Sequence, residues 1–147
     1  MKLEGLDEEL KEQQAEKVET MEEAKKKRSP YHVWAVGGKE YKLKLTAQAI
    51  KKLENKYKAN IMNLIVMDGL PPLTIMLTVI QASLIKFHHG LGYDEVEEIY
   101  ETYQDEGGNM TELLSDVVMP LMAVSGFFTD EMAKSMTKMI KDSETSL

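Results

Sequence analysis

One segment constrains the fold more than any other. From Leu73 to His89 the chain is apolar around most of a helix, with no charge before Lys86. Leu73, Met76, Leu77, Ile80, Leu84 and Phe87 fall on one stripe at helical spacing, and Ile75, Val79, Ala82 and Ile85 widen it nearly all round. A helix of that kind has to be covered on most sides, so it is expected at the centre of a domain. It is not read as a membrane span. The uncharged stretch from Gly69 to Ile85 is shorter than the about 20 apolar residues a span requires, is interrupted by Pro71-Pro72, and carries Thr74, Thr78, Gln81 and Ser83.

The flanking segments supply the cover. Tyr31, Val33 and Ala35 alternate with His32, Trp34 and Val36, and Tyr41, Leu43 and Leu45 alternate with Glu40, Lys42 and Lys44. Gly37-Gly38 lies between the two runs, and paired glycines provide the positive φ angles of a tight hairpin turn. A lone two-stranded hairpin is marginal in water, so its Tyr41, Leu43 and Leu45 face is expected to dock on helices. Thr46 is placed to cap a helix bearing Ala49, Ile50, Leu53 and Tyr57. Ile61 to Met67 forms a short second piece, and Asp68-Gly69 with Pro71-Pro72 marks a loop. After Gly90 and Gly92, Asp94 is expected to cap a helix with Val96, Ile99, Tyr100 and Tyr103, closed by Gly107-Gly108. Asn109 or Thr111 opens the next, with Leu113, Leu114, Val117, Val118, Leu121 and Met122 inward and Pro120 expected to kink or split it. Gly126 ends that run, and Thr129 caps a last helix with Met132, Met136, Met139 and Ile140 on one stripe.

The expected fold is therefore mainly α. A five- to six-helix domain with one N-terminal β-hairpin occupies residues 31–141, preceded by a charged, helical or partly ordered arm over 1–30 and followed by a polar, frayed tail over 142–147. The arm begins acidic (Asp7, Glu8, Glu9) and ends in Lys25, Lys26, Lys27 and Arg28, which suits a helix dipole. Its apolar positions are too sparse for a core, and Ser29-Pro30 marks the boundary.

Composition narrows the function. The 147 residues include no cysteine, which excludes disulfides and thiolate metal sites. The start of the chain lacks the apolar run of a signal peptide. The net charge of −7 counts against a duplex-binding surface, which must displace phosphate counterions with cations.

Each motif with catalytic overtones has a plainer reading. His88-His89 point about 100° apart on a helix and do not share one metal easily. Glu95, Glu97, Glu98 and Glu101 lack the loop of a calcium site and read as a solvated face. Gly37-Gly38-Lys39 lacks the spacing of a phosphate loop and reads as a hairpin turn. No nucleophile stands in a catalytic setting, so no catalytic, cofactor-binding or metal-ligating residue is assigned. Trp34 is either a core ring under the hairpin or, on the opposite face, a partner anchor. The Met132, Met136 and Met139 stripe is either the inner side of a closing helix or an adaptable apolar surface, a use to which flexible, polarisable methionines are suited.

The stretch from Val33 through Trp34, Gly37-Gly38-Lys39 and Tyr41 to Thr46, followed by Ile50 and Leu53-Glu54, resembles the opening of tail assembly chaperones of long-tailed phages and prophages of Gram-positive bacteria. The order of Leu70-Pro71-Pro72-Leu73, His89-Gly90-Leu91, Tyr103 to Gly107-Gly108 and Ser125-Gly126-Phe127-Phe128 is similar to that family as well. The resemblance implies a non-enzymatic factor, without cofactor, in the cytoplasm of the bacterial host and absent from the mature virion. It implies binding of the long helical tape-measure protein before the tail tube polymerises, and contact with the tail tube protein through a frameshifted longer product. Self-association is expected because a long rod needs several copies, whereas nucleic acid and membrane are not expected partners. The residues expected to meet the partner are Trp34, Met132, Met136, Met139, Phe127 and Phe128. An alternative reading is a nucleic-acid-binding regulator with a winged-helix-like hairpin, for which Lys39, Lys42, Lys44, Lys51, Lys52, Lys56 and Lys58 would form the basic patch.

Overall fold

A computed structural model of the chain describes residues 29–66 and 69–145. The charged arm, apart from Ser29 and Pro30, lies outside the described residues. The fold is mainly helical with one N-terminal antiparallel hairpin. Strand β1 (His32–Val36) pairs with β2 (Lys39–Leu43), and six helices follow among the described residues. They are α1 (Ala47–Tyr57), α2 (Ile61–Val66), α3 (Leu73–Leu84), α4 (Tyr93–Asp105), α5 over residues 110–124, and α6 (Asp130–Thr145).

Helix α3 is the hub that its sequence demands. Met76, Leu77, Ile80 and Leu84 are fully buried, and the helix packs against β2, α1, α2, α4 and α5. Each such side chain withdrawn from water contributes roughly 1.5–3 kcal/mol. The helix ends at Leu84, short of His89. The reason lies in hydrogen bonding. The Ser83 carbonyl accepts the Lys44 amide at 3.0 Å, and the Phe87 and His88 amides both turn back to the Leu84 carbonyl. His88 is then free to accept the Lys42 amide on Nε2 at 2.9 Å, and the Leu45 amide donates to Ser125 Oγ at 2.9 Å. The outer edge of β2 is thus closed by side chains and backbone of two helix ends, which removes a template for aggregation.

The hairpin turns where the glycines permit it, with Gly37 and Gly38 at φ of 61° and 77°. Its inner face carries Trp34 and Val36 from β1 beside Leu43 from β2, all buried. Trp34 lies opposite Tyr41 in the register and packs edge-on against Tyr103 at 5.6 Å between ring centroids. Tyr103 in turn needs Gly108, because a Cβ there would stand 2.4 Å from its ring.

The caps follow expectation in three places. Thr46 Oγ1 accepts from the Ala49 amide, Asn109 Oδ1 from the Glu112 amide, and Thr129 Oγ1 from the Met132 amide. Two boundaries differ. Gly92 rather than Asp94 occupies the N-cap of α4, so Asp94 sits in the first turn, where its charge still favours the positive end of the dipole. Helix α6 runs to Thr145, into the segment read as a polar tail.

Pro120 does not end its helix. Helix α5 is one run in which Met110–Glu112 passes into a π-helical segment, Leu113–Val118, and then into Met119–Val124. The wider π turn absorbs the proline before it, and the Met119 amide reaches back five residues to the Leu114 carbonyl. Among the described residues, no helix is long and apolar enough to cross a membrane.

Candidate functional site

The residues singled out from the sequence separate into two groups. Trp34 is 3% exposed and Phe128 6%, so both belong to the core, and Phe127 is half-buried against it. Trp34 is therefore not a surface anchor: it lies on the hairpin face that carries Leu43, and the helices cover that face. The methionines of α6 behave differently. Met136 is half-buried against the core, whereas Met132 is 51% and Met139 70% exposed.

Met136 and Met139 line a cleft of about 520 Å³. One wall is α6, with Met136, Met139 and Ile140. The second is the end of α2 and the loop after it, with Ile65, Val66, Gly69 and Leu70. The third is α5, with Thr111, Leu114 and Met119. Thr111 contributes the one side-chain hydroxyl in this lining. Val66 and Leu70 are 38% and 46% exposed, so with Met139 they give the cleft an apolar rim open to solvent. Large apolar side chains left exposed at the lips of an apolar cleft mark a binding surface more specifically than the same residues scattered singly.

The α5 wall depends on the π segment. In a regular α-helix Met119 would be rotated about 140° from Leu114 around the axis. The longer π turn narrows that angle, and both line the same cleft. Such segments recur at functional sites for this reason. Sequence periodicity reads Leu114 as ordinary core and gives Met119 no role, and Val66 and Leu70 look like loop residues. Leu70, placed between Gly69 and two prolines, is the one position whose apolar character in a turn-rich segment signals a surface use.

Two of the histidines have partners within the fold. His88 serves the hairpin, as described above, and its ring packs against Tyr41 at 5.6 Å. His32 donates through Nε2 to the Asp116 carbonyl at 3.0 Å. A carbonyl only accepts, so the Nε2–H tautomer is fixed. Burial holds the His32 imidazole below its ordinary pKa, against the opposing pull of its bond to Asp116 and of the Asp116 charge. Tyr103 is pushed up to about 12 by burial, reinforced by Glu112 and Asp116. Among the described residues, no group of three or more His, Cys, Asp or Glu side chains is placed to hold a metal ion.

Two lysines of the proposed basic patch have partners within the chain. The Lys42 ammonium sits over the Tyr31 ring at 4.9 Å from its centroid, and that of Lys44 donates to the Val124 carbonyl. Two of the three hairpin lysines are thus engaged by their own chain, and the inner face of the hairpin is packed on helices.

Comparison with known proteins places the chain in a family. A model of a family of unknown function, DUF6096, matches residues 26–147, and the chain belongs to that family. No curated protein and no solved structure matches it.

Proposed function

We propose that this DUF6096 member works by binding, as a phage tail assembly chaperone that holds the tape-measure protein soluble until the tail tube forms around it. The observation that carries this reading is the cleft between α2, α5 and α6. It is apolar, open along an exposed rim of Val66, Leu70 and Met139, and furnished with Met119, Met136 and Met139. Unbranched, polarisable side chains of that kind adjust to different apolar partners without demanding one pattern of side chains. A helix-in-groove mode fits such a surface, with anchors at i, i+3 or i+4, and i+7 of the partner. A tape-measure protein offers long helices whose apolar faces aggregate when unprotected.

The motif order from Val33 to Phe128 supports the same role, and the net charge of −7 favours solubility of a complex that is coated with this chain. The proposed setting is the cytoplasm of the bacterial host, with the protein left out of the finished virion. Contact with the tail tube protein would belong to a longer, frameshifted product.

The test is co-expression with a tape-measure protein encoded in the same genome. The expected result is a soluble complex that survives purification. A tape-measure protein that is equally soluble and uncomplexed with and without this chain would remove the proposal.

A further inference from the structure

Helix α6 concentrates the accessible sulfur of the described residues. The chain has no cysteine, so thioethers are its only sulfur groups. Met132 and Met139 are the exposed methionines among the described residues, whereas Met136 is half-buried and Met76, Met119 and Met122 are buried. Met139 also lines the cleft between α2, α5 and α6, beside Met136, and Met132 is not part of that lining. One thioether, 70% exposed, is thus both open to solvent and a piece of an apolar wall.

We infer that Met139 is an oxidation site, and that its sulfoxide weakens the hold of the cleft on an apolar occupant. The inference rests on the cleft being a binding surface. The oxidant is a peroxide. The Met139 sulfur attacks one oxygen of hydrogen peroxide, an S–O bond forms and the O–O bond breaks. The proton on the attacked oxygen passes to the departing hydroxide, which leaves as water. Sulfur gives up two electrons and the peroxide takes them, so the side chain becomes methionine sulfoxide.

The lip of the cleft then carries a polar oxygen where it had a flexible apolar group. Water hydrates that oxygen in the free chain. An apolar partner laid over it removes the hydration and offers no donor in return, which is unfavourable. Position decides the outcome. At buried Met119 or Met122 the same oxygen would disrupt the core, but at Met139 it stays in solvent, so binding changes while the fold holds. Exposure also admits a methionine sulfoxide reductase, which returns the thioether.

The full chain, treated with limiting hydrogen peroxide, tests this. Modified methionines are mapped by mass spectrometry, and reduced and oxidised chains are titrated with Nile red, a neutral apolar dye that fluoresces on leaving water. Met139 and Met132 are expected to gain oxygen before Met136, Met119 and Met122, with circular dichroism unchanged. The reduced chain is expected to bind the dye and Leu70→Glu to weaken that binding, which places the dye in the cleft. Oxidation is expected to raise the dissociation constant of the dye about tenfold, and reductase treatment to restore it. Met139→Leu should keep its affinity through peroxide treatment, while Met132→Leu should lose affinity as the wild type does. An oxidised wild type that binds as tightly as the reduced one overturns the inference. So does a Met139→Leu chain equally sensitive to peroxide, a Met139 that stays reduced while buried methionines are modified, or a reduced chain that does not hold the dye in the cleft. No arm uses the tape-measure protein, so failure of the chaperone reading is seen separately, in co-expression.

Discussion

His32 Nε2 donates to the carbonyl of Asp116, 84 positions along the chain, at 3.0 Å. Asp116 stands four residues before Pro120, and a proline has no N–H to return to the carbonyl of residue i−4. The hairpin thus supplies a donor to a carbonyl that Pro120 cannot serve. This bond ties β1 to the π segment of α5, the element that joins Leu114 and Met119 on the cleft wall.

Removing the donor should loosen that tie. His32→Ala is expected to cost about 0.5–1.5 kcal/mol in urea unfolding, the net range for one hydrogen bond whose acceptor water can reach. His32→Gln, whose side-chain amide can donate, is expected to lose less.

The same histidine makes stability depend on pH. Burial depresses its pKa in the folded chain, so the unfolded state binds the proton more readily. Stability is expected to be full above the ordinary histidine range near about 6.5 and to fall as pH drops through that value towards the depressed one. Comparison of thermal midpoints for wild type and His32→Gln across this window isolates the contribution, which the variant should lack.

Gly108 and Tyr103 give a packing prediction. Gly108→Ala places a methyl 2.4 Å from the Tyr103 ring, and the ring has to leave its place beside Trp34. Overpacking of this type costs about 1–3 kcal/mol. Trp34 is the single tryptophan, so its fluorescence reports the displacement directly: emission from the wild type is expected to be blue-shifted and poorly quenched by acrylamide, and that of the variant more readily quenched.

Much of the fold is legible in the residues themselves, because local chemistry decides it. Thr46, Asn109 and Thr129 are short polar side chains at the starts of apolar-periodic runs, Gly37-Gly38 sits between two alternating segments, and α3 has too much apolar surface to lie anywhere but the centre. What is not legible depends on partners distant in sequence. Helix α3 stops at Leu84 because Lys44 takes the Ser83 carbonyl, and no property of residues 85–89 announces that. Alternation alone does not say which face of β1 is covered, so Trp34 reads as core with an anchor role left open. The cleft is harder still: its walls come from residues 65–66, 69–70, 111–119 and 136–140, and one of them requires a π turn that periodicity at 3.6 residues does not reveal. Several pieces that carry the family resemblance serve the scaffold. Ser125 clamps the hairpin, Gly126 adopts φ of 91° at the end of α5, and Phe128 fills the core.

Binding and stability should separate at the cleft. Leu70 is 46% exposed, so Leu70→Glu is expected to change unfolding free energy by no more than about 0.5 kcal/mol while abolishing capture of the tape-measure protein. Leu114 is 4% exposed on the opposite wall, and Leu114→Ala is expected to cost about 2–5 kcal/mol because it opens a void as well as altering the cleft.

The most direct measurement uses the methionines as reporters. With the methyl groups of the eleven methionines labelled with carbon-13, the chain is titrated with the tape-measure protein and followed by NMR. The expected result is that the signals of Met136 and Met139 shift or broaden, while those of Met76 and Met122, fully buried and not part of the cleft lining, hold their positions. No methyl signal changing at excess partner, or changes confined to methionines away from the cleft, would contradict the proposal that this apolar cleft shelters another polypeptide.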